Sequence, residues 1–172
     1  ADGPVILHAN QISLENGARV GKCMEFAQKV SRDFDIPFLF MSYYNILFKY
    51  GIKKFTKKMK QPGLVGAIVP DLPVEEGEEY LAAMADHDLA PIFIYSPRTP
   101  GERMKKIADH ARGFIYCVAR KGVTGLDTEF SNQLETYLSR CREAAGLPIA
   151  LGFGVKEKED VSFLINKADI AV

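Results

Sequence analysis

Residues 113–119 read Gly-Phe-Ile-Tyr-Cys-Val-Ala, and residues 120–125 follow at once as Arg-Lys-Gly-Val-Thr-Gly. The first stretch is a short run of apolar, aromatic and β-branched residues, the pattern of a strand buried on both faces. The second is a polar loop whose two glycines, Gly122 and Gly125, admit backbone geometry that other residues resist. A buried strand opening into a glycine loop, with a helix beyond it, is half of a βα unit. In parallel α/β folds ligands sit where such loops leave the carboxyl ends of strands, so the loops after strands are where a site is expected.

Similar runs recur on either side. Pro37-Phe-Leu-Phe-Met-Ser-Tyr43, Gly66-Ala-Ile-Val69 and Pro91-Ile-Phe-Ile-Tyr95 precede it, and Pro148-Ile-Ala-Leu151 and Ile170-Ala-Val172 follow. Helical periodicity fills the gaps. Val20, Cys23, Ala27 and Val30 share one face, as do Ile52, Phe55 and Met59. A helix after Pro73 turns Val74, Gly77, Tyr80, Leu81 and Met84 inward, with Glu75, Glu76, Glu78 and Glu79 in its first turns, where acid suits the helix dipole. Thr99-Pro-Gly-Glu102 has the form of a capping box opening a helix with Met104, Ile107 and Ala108. Leu134, Tyr137, Leu138 and Cys141 line the next helix, and Val161, Leu164 and Ile165 the last. Six strands alternating with helices, each strand apolar on both faces, predict a parallel α/β sheet. A closed (β/α)8 TIM barrel needs eight such units and about 250 residues. The 172 residues, with no linker or low-complexity stretch, are therefore expected to form one partial TIM-barrel domain over 1–172, about six of the eight βα units. The chain opens in Ala-Asp-Gly-Pro and stops inside an apolar run at Val172, which gives the expectation of a fragment.

Composition excludes several classes. With 22 basic and 22 acidic residues, there is no global field to attract nucleic acid or an anionic membrane. No apolar run approaches the ~18 residues of a membrane span. The lysines at 49, 53, 54, 57, 58 and 60 read as the solvated face of a helix with no aromatics among them to stack bases. Cys23, Cys117 and Cys141 have no C-x-x-C spacing and read as reduced core residues, which together with the absence of a signal-peptide pattern gives cytoplasmic location as the expectation. His8, His87 and His110 are dispersed, and no metal site is expected.

The loop residues are modest signals singly. Asp2-Gly-Pro4 is a turn; Pro70-Asp-Leu-Pro73 looks like a helix N-cap; Gly152-Phe-Gly154 frees backbone N–H groups near a helix start, a geometry suited to phosphate. In their order and spacing, however, Asp2-Gly-Pro4, Tyr43-Tyr-Asn45, residues 68–76 (Ile-Val-Pro-Asp-Leu-Pro-Val-Glu-Glu), residues 112–116 (Arg-Gly-Phe-Ile-Tyr), Gly122-Val-Thr-Gly125 and residues 151–154 (Leu-Gly-Phe-Gly) resemble the tryptophan synthase α subunit along the full chain.

That resemblance implies a TIM barrel that cleaves indole-3-glycerol phosphate to indole and glyceraldehyde 3-phosphate. It implies no cofactor in this chain and an α2β2 assembly with a pyridoxal-phosphate β subunit that takes the indole through a tunnel. It makes Asp2 the catalytic aspartate facing the indole N–H. Tyr43, Tyr116 and Phe153 line the substrate pocket. Thr124 bonds the aspartate when loop 120–129 closes as a lid, and Gly125 and Gly154 bring backbone N–H groups to the phosphate. Asn45, Phe48 and Asp71 lie near the β-subunit contact. The family's Tyr-Asn-Pro is Tyr44-Asn-Ile46 here. Its second catalytic carboxylate, a glutamate, is expected upstream of Ala1 and its Gly-Ser phosphate loop beyond Val172, so residues 1–172 alone are expected to be inactive. Two other readings are carried: a non-catalytic partner that binds and activates the β subunit, and a different phosphate-binding barrel suggested by Gly152-Phe-Gly154 alone.

Overall fold

A computed structural model describes every residue except 1–2, 62, 120–127, 153 and 156, with backbone alone at 128–131. Six strands form one sheet in chain order: β1 (Leu39–Met41), β2 (Gly66–Ile68), β3 (Ala90–Tyr95), β4 (Ile115–Val118), β5 (Ile149–Gly152) and β6 (Ile170–Ala171). Every neighbouring pair is parallel. Between them run α1 (Pro4–Glu15), α2 (Val20–Asp33), α3 (Tyr44–Tyr50), α4 (Ile52–Lys60), α5 (Glu78–Ala85), α6 (Gly101–Ala108), α7 (Thr128–Ala145) and α8 (Lys158–Leu164). The sheet is six parallel strands of a TIM barrel, as the apolar runs predicted.

Alternation along the strands gives the sheet two faces. One carries Ala67, Phe93, Tyr95, Ile115, Cys117, Ile149 and Leu151 into the helices. Over β3–β5 these pack with Met104, Leu134, Tyr137, Cys141 and Leu164. Over β1–β2 the core is Leu47, Ile52, Phe55, Met59, Tyr80 and Met84. The other face, the barrel interior, carries Ile68, Ile92, Ile94, Tyr116, Ala150 and Gly152 in register across the strands. Gly66 marks the tightest approach in the sheet. A Cβ there would collide with the Ala90 carbonyl oxygen and sit 3.0 Å from the Ala90 Cβ. No side chain can be added without parting β2 from β3.

Several local expectations are corrected. Where a loop is expected at the start, α1 begins at Pro4 with Gly3 as its N-cap, a position where proline's missing N–H is harmless. Cys23 is exposed, because α2 turns Met24 inward instead, while Cys117 and Cys141 are buried; all three are free thiols. The contact with Cys141, with burial, pushes the Cys117 thiol up. The stretch after Pro73 is a 3-10 turn (Val74–Glu76) and then α5, broken at Gly77. Thr99 does not cap α6. Its Oγ1 accepts the Ser96 backbone N–H at 3.0 Å, closing the loop on itself. The capping box is at α8 instead, where the Glu157 N–H donates to Asp160 Oδ2 at 3.2 Å. On α8 only Leu164 of the predicted face is buried; Val161 and Ile165 are exposed.

Candidate functional site

The carboxyl ends of the strands bring together four of the residues singled out by sequence: Tyr43 after β1, Asp71 after β2, Tyr116 on β4 and Gly154 after β5. Asp2, Thr124, Gly125 and Phe153, and the lid expected over 120–129 as far as residue 127, lie outside the described residues.

Asp71 does not cap the turn that follows it; Pro73 holds the N-cap position there, without a side-chain bond. Its Oδ1 reaches back 27 residues and accepts the Tyr44 backbone N–H at 2.8 Å. That N–H is one of the unpartnered donors at the start of α3, and a carboxylate is the favoured acceptor at such an end. Asp71 thereby fixes the start of α3 against the β2 loop, beside the Ser42 N–H bonded to the Ile68 carbonyl at 3.1 Å. The helix so anchored presents Asn45, Ile46 and Phe48 to solvent, with Phe48 67% exposed, and Tyr43 at its N-cap is exposed as well. The Tyr44 and Phe48 rings lie 6.1 Å apart.

Tyr116 points into the barrel interior and leans toward β5. Its phenol lies over Gly152, where a Cβ would strike the hydroxyl oxygen and come within 2.8 Å of Cζ. By sequence alone, Gly152 and Gly154 look alike, as donors of free N–H groups. They differ in physical cause. Gly152 is glycine because Tyr116 occupies its side-chain space. Gly154 has open space around it and a φ of +74°, which glycine adopts without strain. The first turn of α8 is acidic (Glu159, Asp160) and its N-cap N–H is taken by Asp160, so a phosphate is better served by the loop at Gly154 than by that helix end.

A cleft of about 250 Å³ opens between the loops after β2 and β3, lined among others by Pro70, Asp71, Ile94, Thr99 and Arg103. Arg103 is committed to Glu75, which accepts from both guanidinium nitrogens (2.7 and 3.0 Å) and from Lys106 at 3.0 Å. The Arg103 guanidinium holds the Glu75 carboxyl at about 2, far below its ordinary value. The Glu75–Arg103 link was not read from the sequence; only the acid at the start of the turn could have suggested it. Among the described residues no three His, Cys, Asp or Glu side chains gather as a metal site.

Comparison with known proteins follows the same lines. The family described as "Tryptophan synthase alpha chain" matches over residues 1–172. The tryptophan synthase alpha chain of Syntrophotalea carbinolica is 62% identical over 172 residues, covering 100% of this chain and 68% of that protein. That of Desulforapulum autotrophicum is 60% identical with the same coverage, 100% and 68%. Among solved structures, tryptophan synthase subunit alpha from Campylobacter jejuni superposes with a TM-score of 0.89 at 35% identity, over 100% of this chain and 69% of that one. A tryptophan synthase complex from Pyrococcus furiosus gives 0.87 at 29% identity, over 100% and 69%. This chain therefore spans about two thirds of the length of its relatives, and its strand order, its loop residues and its identity to them agree: it belongs to the tryptophan synthase alpha chain family.

Proposed function

We propose that the protein is a carbon–carbon lyase, cleaving indole-3-glycerol phosphate by a retro-aldol reaction to indole and glyceraldehyde 3-phosphate in tryptophan biosynthesis. Residues 1–172 supply one partial barrel domain with most of the substrate pocket. The observation that carries this reading is that the family-matched Tyr43, Asp71 and Gly154 follow β1, β2 and β5 at the carboxyl end of the sheet, with Tyr116 of β4 leaning over Gly152 at the end of β5, where barrel enzymes hold substrate.

The chemistry asks for an acid at the indole ring carbon and a base at the glycerol hydroxyl. Asp2 accepts the indole N–H, a bond that strengthens as the ring gains positive charge, so it acts on the transition state more than on bound substrate. Tyr116 and Phe153 wall the substrate, Tyr43 lines the indole end, and Gly125 and Gly154 offer backbone N–H groups to the phosphate. Thr124 holds Asp2 when the glycine loop closes and excludes water. The partner is a β subunit carrying pyridoxal phosphate, in an α2β2 assembly. Its contact is the surface of α3 (Asn45, Phe48) and the loop holding Asp71. The chain itself needs no cofactor. Among the described residues no helix is long and apolar enough to cross a membrane, and the proposed location is the cytoplasm.

The test is indole release by the full-length protein. Asp2→Asn keeps shape and removes charge, so turnover should fall at least about 10²-fold, the low end for a positioned acid–base group. Binding to the β subunit should survive. Near-normal turnover by the Asn variant would reduce Asp2 to a turn residue. A wild-type protein that releases no indole yet activates the β subunit would make it a non-catalytic partner.

A further inference from the structure

Between Asp35 and Asp71 the chain contains six lysines and no carboxylate side chain. All six (Lys49 on α3 and Lys53, Lys54, Lys57, Lys58 and Lys60 on α4) are exposed, because Ile52, Phe55, Thr56 and Met59 turn the other side of α4 into the core. None forms an ion pair among the described residues. Lys54 lies over the Tyr50 ring, 4.6 Å from its centroid. On the β3–β5 side, by contrast, Arg103, Arg112, Arg142 and Lys167 are each paired to a carboxylate. In a chain of zero net charge, six uncompensated cations on one helical stretch make a strong local field.

The field has a neighbour. α4 follows α3 after the single residue Gly51, and α3 carries the exposed Ile46 and Phe48. A nine-residue helix is about 13 Å long, and charge is felt over about 8–10 Å at ordinary salt, so most of the lysine face acts at that apolar ridge. A membrane is a poor fit, since the apolar side of α4 is buried in the core and cannot insert. Single-stranded nucleic acid is a poor fit because no exposed aromatic stands among the lysines of α4 to stack bases. A protein surface rich in carboxylates fits both the charge and the adjoining ridge.

We propose that Lys49, Lys53, Lys54, Lys57, Lys58 and Lys60 form an electrostatic steering surface, which draws an acidic face of the β subunit onto the apolar ridge of α3. The proposal rests on the functional reading above. Steering acts on the encounter rate, while the ridge sets how long the complex lasts.

The experiment is rapid-mixing association of the full-length protein with its β subunit across a salt series. Wild-type association should slow by about 10-fold from low to high salt. A variant carrying Lys53→Gln, Lys54→Gln, Lys57→Gln and Lys58→Gln should associate about 10-fold more slowly at low salt, with a flattened salt dependence and an unchanged dissociation rate. Phe48→Ala should do the opposite, raising dissociation and leaving association alone. A tight complex whose association ignores both salt and the lysines would overturn the steering role and leave the functional reading intact. Absence of any complex would sink both. Faster dissociation in the lysine variant would make the lysines docked contacts instead. Lysine-dependent binding to phosphatidylglycerol vesicles or to single-stranded RNA, with association to the β subunit unaffected, would assign the surface to those anions.

Discussion

The helices over β3–β5 and those over β1–β2 do the same job by different means. Over β3–β5 the apolar layer is reinforced at its rim. Glu75 joins the loop before α5 to α6 through Arg103 and Lys106. Arg142 on α7 reaches Asp169, whose Oδ2 accepts the Ile149 N–H at the start of β5. Lys167 bonds Glu135 and lies 4.0 Å over the Phe163 ring. Over β1–β2 no such stitching is present among the described residues: Phe55 packs edge-on against Phe40 and the lysines outside it form no ion pair there. The difference teaches that burial holds both regions, since exposed ion pairs contribute little each. Surface charge is paired between elements on one side and, among the described residues, left unpaired on the other.

The largest effects should therefore come from the two cores and be alike. Phe55 and Leu151 are both almost fully buried. Phe55→Ala should destabilise by about 3–5 kcal/mol and Leu151→Ala by about 2–5 kcal/mol, read from denaturant midpoints. A much smaller cost at Phe55 would mean that the β1–β2 side is loosely packed and the comparison rests on more than charge. Gly66→Ala comes next. It attacks the seam between β2 and β3 and should cost about 3 kcal/mol, at the upper end for overpacking, because the obstacle is backbone. If the two sides are one cooperative unit, far-ultraviolet and tyrosine signals should lose stability together in that variant. Separate transitions would show two units.

A smaller, functional effect concerns Gly152, the last residue of β5. Gly152→Ala pushes the Tyr116 ring off its seat, and a displacement of about 1 Å in a positioning group can lower turnover by about 10²-fold. Shortening the obstructing residue in the same chain, as Tyr116→Leu, should restore stability lost by Gly152→Ala but not the pocket contact. Equal kinetics for wild type and Gly152→Ala would show that Tyr116 has room to move and that its seat does not matter.

How much of this could be read from the sequence follows from the range of each interaction. The six strands were legible, since buried parallel strands are continuous apolar runs, and so was the inward face of α4 at Ile52, Phe55 and Met59. The positions of Tyr43, Asp71 and Gly154 followed, because loops after parallel strands share one end of the sheet. What failed was set by contacts distant in sequence or by competition at close range. Asp71 had a plausible local cap to make but took the Tyr44 N–H instead. Thr99 had the spacing of a capping residue but folded onto Ser96. The need for glycine at 152 lies in a side chain 36 residues earlier, which no local pattern announces. Cys23 and Val161 matched a helical period, yet α2 and α8 rotate those positions toward solvent.

The smallest expected effect isolates the charge difference itself. Glu75 is open to solvent at the surface, yet its carboxyl sits at about 2, against 4.5 in its ordinary state, chiefly through its hydrogen bonds to Arg103. Because the folded value is the lower one, the pairing stabilises the fold above about 4.5. That contribution fades as pH falls from there toward about 2, where the folded-state carboxyl also takes up its proton. Glu75→Gln should remove this part of the acid sensitivity, so the wild-type and variant stability curves should differ at pH 7 and converge near pH 2. Added salt should shrink the gap at neutral pH, since the pair is exposed. Lys53→Gln, on the unpaired side, should leave the acid limb unchanged. If Glu75→Gln and wild type run parallel from pH 7 to pH 2, the stitching over β3–β5 contributes nothing, and the two sides of the sheet differ in where their charges sit but not in how they are held.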